Sequence, residues 1–403
     1  MAQLQFQTLE FKDVGEKIKV YFLKNFYFFV EKSELESIAP FKIKANKIIF
    51  EGISEKTASS KFNVVVSREI SQNLKSVLLD KRTIYIHKNS GIPLIGNIAF
   101  GLLDRNTSIV EIRPVTGCNL NCPYCSISEG ITSKKPVEFV IEKDYIIEEL
   151  KKIIEWKEVP IEAHIGPHGE PFVYGDLLPL VDDLAAIEEI HTISIDTNGT
   201  YLTEEIIDHL AKSGKVRLNL SLDAIDSRKA RIMAGYGKYD VKYVLKMINY
   251  AAKKMRILVA PVMVPGWNEE ELPKIIKFAK EHNIPLGIQN YLHYNSGRKI
   301  ADQMSWPEFT NKLKELESKS NVKLLLDFKK DFQIKETKPL PKPFYKGQII
   351  EVKIAFPGRS LGEMIGIAND RTLTIMQCKA NEGDKIKVKI LRDKHNIFLA
   401  KEA

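Results

Sequence analysis

The feature that most restricts the fold is an alternation of two hydrophobic periods along residues 108 to 327. Short apolar runs rich in β-branched residues fall at 108–115, 161–166, 192–197, 216–223, 256–264 and 285–292. Between them lie segments with apolar residues every third or fourth position, at 144–156, 177–187, 203–212, 241–255 and 269–282. A sixth, at 306–318, follows the last run. The first kind reads as buried strands and the second as amphipathic helices. Capping chemistry agrees. Thr203 stands before Glu204 and Glu205, Gly214 follows that helix, and Ser305 and Glu308 have capping-box spacing. Six strand–helix units in series predict an α/β fold: a parallel, right-handed sheet curved into a partial, TIM-like (β/α)6 barrel. Such sheets bind ligands at the C-terminal ends of their strands.

Three of the four cysteines fall just after the first of these strands, in Cys118-Asn119-Leu120-Asn121-Cys122-Pro123-Tyr124-Cys125. Asn119, Asn121 and Pro123 make the run loop-like. A loop this tight presents three thiolates to one metal centre and leaves a coordination position open, whereas structural zinc and iron–sulfur sites usually close with four protein ligands. The alternatives are a zinc knuckle with a remote fourth ligand, and inert buried cysteines. Cys378 stands far away and reads as an apolar filler. The chain is 44% hydrophobic and 28% charged, with a formal net charge of +8. It has no apolar run of about 18 residues and no secretory leader pattern. It is expected to be soluble and cytoplasmic, without a membrane partner, where clustered cysteines read as metal ligands and not as disulfides.

The C-x3-C-x2-C run with an aromatic residue before its last cysteine resembles the signature of the radical SAM superfamily. The resemblance implies a [4Fe–4S] cluster on Cys118, Cys122 and Cys125, with S-adenosylmethionine on the open iron. Reductive cleavage of that cofactor would give a 5′-deoxyadenosyl radical. It also implies that Tyr124 packs near the adenine. Gly166-Pro167-His168-Gly169-Glu170-Pro171 resembles the superfamily's Gly-Gly-Glu element, so Gly169 and Glu170 are expected to receive the cofactor ammonium. His168 departs from the usual glycine pair and reads as a solvated turn histidine. Asn198, in Asp196-Thr197-Asn198-Gly199, then Ser221, Asp223 and Gln289 complete the expected cofactor shell. Val264-Pro265-Gly266-Trp267-Asn268 resembles a Pro-Gly-x-Asn turn near the adenine. Each element alone is also an ordinary turn or cap; their shared position at one end of one sheet is the argument. His293, Tyr294 and Arg298, beyond the last strand, face substrate or an RNA phosphate, or are simply solvated.

Residues 1–104 read as a β-rich N-terminal domain with strands at 17–30, 42–51, 62–67 and 83–87; Phe26-Tyr27-Phe28-Phe29 reads as core packing, with a binding face as the alternative. Residues 105–337 form the catalytic core, and Lys338-Pro339-Leu340-Pro341-Lys342-Pro343 a stiff linker. Residues 344–403 carry five short strand patterns, which suggest a small OB-like barrel. Glycine placement and strand spacing there resemble a TRAM domain, a module appended to several tRNA- and rRNA-modifying enzymes. The segment holds eleven Lys and Arg against seven Asp and Glu, a net +4. Arg359, Arg371, Lys385, Lys387, Lys389 and Arg392, with Lys394, are expected along RNA phosphates. Residues 1–117 contain no cysteine, so the second cluster of the tRNA methylthiotransferases is not expected. The same count leaves no ligands for a SPASM-type auxiliary cluster. Dual-cysteine methyl transfer is not expected either, because Cys378 falls in the predicted small barrel. The reading is an archaeal-type, single-cluster radical SAM enzyme that modifies RNA, tRNA above all, on an extruded base. A ferredoxin-like donor would supply its electron. The same chemistry on a small molecule, lipid precursor or peptide is the alternative, and an RNA-binding module with a vestigial cluster is the non-enzymatic one.

Overall fold

The computed structural model describes every residue except Pro167 and Asn295, together with all side chains but that of Phe328. The N-terminal region is built on hairpins. Leu9–Asp13, Lys17–Phe22, Phe26–Glu31 and Lys75–Ser76 form one antiparallel sheet, and Ala2–Gln5, Lys47–Phe50 and Phe41–Lys44 another. The expected strand 17–30 is therefore two strands, turned at Leu23 and Lys24, both at positive φ. The expected strand 42–51 likewise folds back at Ala45. Strand alternation splits the aromatic patch: Phe26 and Phe28 are buried, while Tyr27 and Phe29 lie on the outer face.

The strand expected at 62–67 is instead part of a helix, Glu55–Asn73. Ser54 caps it by accepting a hydrogen bond from the Thr57 amide, and no glycine or proline interrupts it. Its buried residues Ala58, Phe62, Val65, Val66 and Glu69 follow a helical stripe. Val64-Val65-Val66 favours a strand locally, but that stripe buries against the sheet and decides the outcome. The region is thus mixed helix and sheet, not β alone.

The parallel sheet comprises β1 (Ile109–Arg113), β2 (Ile161–Ile165), β3 (Ile190–Thr197), β4 (Val216–Leu220) and β5 (Arg256–Val259), hydrogen-bonded in that order. Gly101–Asp104 adds antiparallel outside β1, so the sheet reaches back across residue 104. The expected strand 256–264 breaks after Val259, where Ala260 bonds to Leu220 and Pro261 has no N–H to donate. Val262–Met263 resumes the direction and pairs in parallel with β6 (Gln289–Asn290). Between β4 and β5 the chain forms a helix that was not expected, ahead of the expected one. Ser227–Ala234 is capped by Asp226, which accepts from the Arg228 and Lys229 amides, and it stops at Gly235 in the left-handed region.

The C-terminal strands β7 (Ile349–Pro357), β8 (Met364–Ala368), β9 (Arg371–Met376), β10 (Lys385–Arg392) and β11 (Leu399–Glu402) close a barrel in the order β7-β8-β9-β11-β10. The pair β9–β11 is parallel and the others antiparallel. Five strands in this order form an OB-like arrangement. The barrel has its own small core around Phe344, Ile354, Leu373 and Phe398. Phe356 leaves that core to pack on Phe139, with ring centroids 5.5 Å apart. The proline-rich segment is docked: Leu340 is buried, and the Trp156 indole donates to the Pro339 carbonyl at 3.1 Å.

Candidate active site

The C-terminal ends of the parallel strands surround a cavity of about 280 Å³. Cys118, Cys122, Tyr124, Cys125, Gly169, Glu170, Asn198, Ser221, Asp223 and Gln289 all line it. The structure thus brings together these ten residues expected at the cluster and cofactor, while none of residues 264–268 lines the cavity. The reason is topological, since all the chain reversals after parallel strands fall at the same sheet end.

The cysteine loop is fixed by its own backbone and by its neighbours. Asn121 N–H bonds to the Ala234 carbonyl at 2.9 Å. A Cβ on Gly235 would stand 2.0 Å from the Asn121 oxygen, so only glycine lets the helix Ser227–Ala234 end against the loop. Gly169 does the same from the other side, at φ +107°, where a Cβ would lie 2.1 Å from the Gly117 oxygen. Glu170 N–H then bonds to that oxygen at 2.9 Å. Arg298 donates to the Cys122 carbonyl, to Asn121 Oδ1 at 2.9 Å and to the Glu129 carbonyl at 2.9 Å. It therefore braces the loop, and it is half-buried there.

The thiols suit a polynuclear cluster. All four cysteines are free. Burial, with the Glu170 carboxylate and the neighbouring thiols adding to it, pushes Cys118 well above the ordinary thiol range. Burial and Asp223 push Cys122 up to about 12. A bound cationic metal centre offsets such a rise by stabilising thiolates. Among the described residues, no three Cys, His, Asp or Glu side chains converge on the position of a single ion. Three cysteines lining one cavity match the donor set of a cluster with one iron left open.

Around the thiols the polar groups are already ordered. The Glu170 carboxylate accepts from Thr197 Oγ1 at 2.7 Å, Asn198 N at 2.8 Å and Phe172 N at 3.2 Å. Burial nevertheless raises its carboxyl to about 7. An incoming ammonium would favour the charged form again. Asn198 Nδ2 bonds to Asn119 Oδ1 at 2.9 Å and stands 3.9 Å from Cys118 Sγ. Tyr124 donates to Asp223 Oδ2, and Asp223 Oδ1 accepts from Val262 N at 2.8 Å. Burial raises Asp223 to about 6. Asn268 is buried beneath this pair. It ties Val264 N to the carbonyls of Asp223 and Val262, which is a structural place for the Pro-Gly-x-Asn turn.

Several cavity residues were not singled out from the sequence: Glu129, Asn219, Met233 and Tyr239. Met233 sits on the unexpected helix, whose Asp226 cap and Gly235 stop were the available signal. His168 is buried and not solvated. Its Nδ1 stands 4.0 Å from Glu129, and burial followed by the nearby Arg113 charge holds it well below the ordinary imidazole range. Pro167 in the same element lies outside the described residues.

The basic set at the C-terminus divides. Lys385, Lys387 and Lys389 are exposed along one face of β10, and Arg392 is half-buried. Arg359 is not available to phosphates. It is 5% exposed and ion-paired to Glu129 and Glu138 at 2.6 and 2.8 Å. Arg371 is also committed, donating to the Pro341 carbonyl at 2.9 Å and the Asn396 side chain at 3.3 Å. Charge counting cannot tell a surface guanidinium from one folded inward onto carboxylates.

The family model of the radical SAM superfamily matches residues 112–279. An uncharacterized protein of Methanocaldococcus jannaschii is 36% identical over 371 residues, spanning 83% of this chain and 84% of that one. The chain belongs to the radical SAM superfamily. The superfamily uses a [4Fe–4S] cluster and S-adenosylmethionine. In this radical SAM protein Cys118, Cys122 and Cys125 are the residues that fit the cluster, and the carboxylates and amides above surround the space for the cofactor. A GTP 3′,8-cyclase of Listeria welshimeri is 31% identical over 190 residues, 45% of this chain and 54% of the cyclase. The chain thus spans about half the length of that relative. Streptococcus suis SuiB superposes with a TM-score of 0.45 at 15% identity, over 80% of this chain and 72% of SuiB. Among the described residues no helix is long and apolar enough to cross a membrane.

Proposed function

We propose that this radical SAM protein generates a 5′-deoxyadenosyl radical in the cavity at the end of a partial (β/α)6 barrel and uses it to modify RNA, tRNA above all. A ferredoxin-like protein would supply the electron. The observation that carries the RNA reading is the row Lys385, Lys387 and Lys389, exposed at alternate positions of one strand on a TRAM-like barrel. Such a row tracks a phosphate backbone without reading sequence. The cavity mouth would take one extruded base. With three cysteines in the loop and none in residues 1–117, the reaction would run on a single cluster, as a rearrangement, bond cleavage or carbon insertion that begins with hydrogen abstraction.

A second reading keeps the chemistry but gives it a small molecule. It is favoured by the loss of Arg359 and Arg371 from the phosphate-binding set, and by the GTP 3′,8-cyclase match across the barrel segment. The deciding experiment compares modified nucleosides in total tRNA from cells with and without the gene. A nucleoside lost with the gene and restored by its return supports RNA; an unchanged profile transfers the proposal to a free nucleotide or another small molecule.

A further inference from the structure

Arg359 links the C-terminal barrel to the segment that carries the cysteine loop. Arg359 sits in the turn between β7 and β8, which closes on itself: Gly358 N–H bonds to the Glu363 carbonyl at 2.7 Å, and Ser360 N–H to Glu363 Oε2 at 3.0 Å. A turn held this way presents its arginine rigidly. The guanidinium bonds to both oxygens of Glu129 at 2.6 Å, meets Glu138 at 2.8 Å and donates to the Val137 carbonyl. The two carboxylates bracket the cysteine loop. Glu129 N–H donates to Cys125 Sγ at 3.3 Å. Glu138 accepts from Thr116 Oγ1 at 2.6 Å, two residues before Cys118. Both glutamates are 3% exposed or less, and buried carboxylates require a paired cation.

In OB-like barrels the turn between the first two strands is one that meets ligands. Here that turn is spent on the core, as is the face of β9. Thr372 N–H bonds to the Ile95 carbonyl at 2.9 Å, and Asn97 Nδ2 donates to Thr374 Oγ1 at 3.0 Å.

We propose that Arg359 is a positioning residue for the cysteine loop, and that the C-terminal barrel anchors the loop through it. This holds whether the substrate is RNA or a small molecule.

Hydrogen exchange of residues 116–137, followed by mass spectrometry on the cluster-free protein, tests it. Arg359→Gln leaves Glu138 without its ion-pair partner and Glu129 with Lys135 alone, at 3.0 Å, and exchange in the loop should accelerate at least about tenfold. Arg359→Lys keeps the charge but not the planar fork that spans Glu129, Glu138 and the Val137 carbonyl, and loop exchange should fall between wild type and Arg359→Gln. Thr374→Val loosens the same interface away from the loop and should leave loop exchange unchanged. With the cluster restored, Arg359→Gln should also blunt the change that S-adenosylmethionine makes in the electron paramagnetic resonance spectrum of the reduced cluster. Wild-type protection in Arg359→Gln overturns the proposal. So does equal acceleration in Thr374→Val, which would make the effect one of docking in general. Should Arg359→Gln fail to fold, Arg359→Met with Glu129→Gln and Glu138→Gln removes all three charges together. Faster loop exchange in that variant supports the proposal and unchanged exchange overturns it.

Discussion

Glu170→Gln is the sharpest perturbation of the cofactor shell, because its effect changes with pH in a calculable way. Burial holds the Glu170 carboxyl near 7 in place of its ordinary 4.5. Below about 4.5 the group is protonated in both folded and unfolded chains, and its burial carries no ionic penalty. As pH rises from there to about 7, the unfolded chain loses its proton first and the folded state is penalised. Each pH unit in that interval is worth about 1.4 kcal/mol, so above pH 7 the ionised group costs the empty protein roughly 3 kcal/mol. The substitution removes that penalty. It also places an NH2 or a single oxygen where the carboxylate accepts from Thr197, Asn198 and Phe172, which costs about 1–3 kcal/mol at every pH. The constant term cancels when the variant is compared with itself across pH. The stability difference, variant minus wild type, should therefore grow by roughly 3 kcal/mol between pH 4.5 and pH 8. Guanidinium unfolding of the cluster-free protein under argon measures it. A difference independent of pH would refute the claim that Glu170 is an ionisable group held in a desolvated site awaiting a cation. The same variant should bind S-adenosylmethionine about 10- to 100-fold more weakly, the loss of one charge-assisted hydrogen bond.

Other outcomes follow from the same geometry. Gly169→Ala places a methyl 2.1 Å from the Gly117 oxygen; the cysteine loop must retreat by about 1 Å, and S-adenosylmethionine cleavage should fall about 100-fold, with iron content as the control. Asn268→Ala orphans three backbone groups beneath Asp223 and should destabilise the fold by about 2–3 kcal/mol, read from a denaturant midpoint. Replacing Lys385, Lys387 and Lys389 together by alanine should lower the salt dependence of tRNA binding by about two to three counterions, measured by filter binding across ionic strengths; an unchanged slope would remove that face from the RNA reading.

Much of the site was legible because its signals are local. The spacing of Cys118, Cys122 and Cys125 lies within one loop, and a parallel sheet gathers strand ends without long-range information, so Glu170, Asn198, Ser221 and Gln289 meet. Signals failed where a distant partner decides. Val64-Val65-Val66 favours a strand until Phe62 and Ala58 complete a buried helical stripe. Arg359 counts as surface charge until Glu129, 230 residues earlier in the chain, folds onto it. The hairpins at Leu23 and Ala45 escaped notice because positive φ falls on Leu23, Lys24 and Ala45, while the asparagine of each turn, Asn25 and Asn46, stands one place further on.

The central claim is that three cysteines hold one cluster with an open iron that cleaves S-adenosylmethionine. The direct measurement is 5′-deoxyadenosine formed by the reduced, oxygen-free protein, beside the same assay on Cys122→Ala. The account predicts a brown wild-type protein that releases 5′-deoxyadenosine and a variant that releases none. A colourless, zinc-loaded wild type, or a variant with full cleavage, would contradict it.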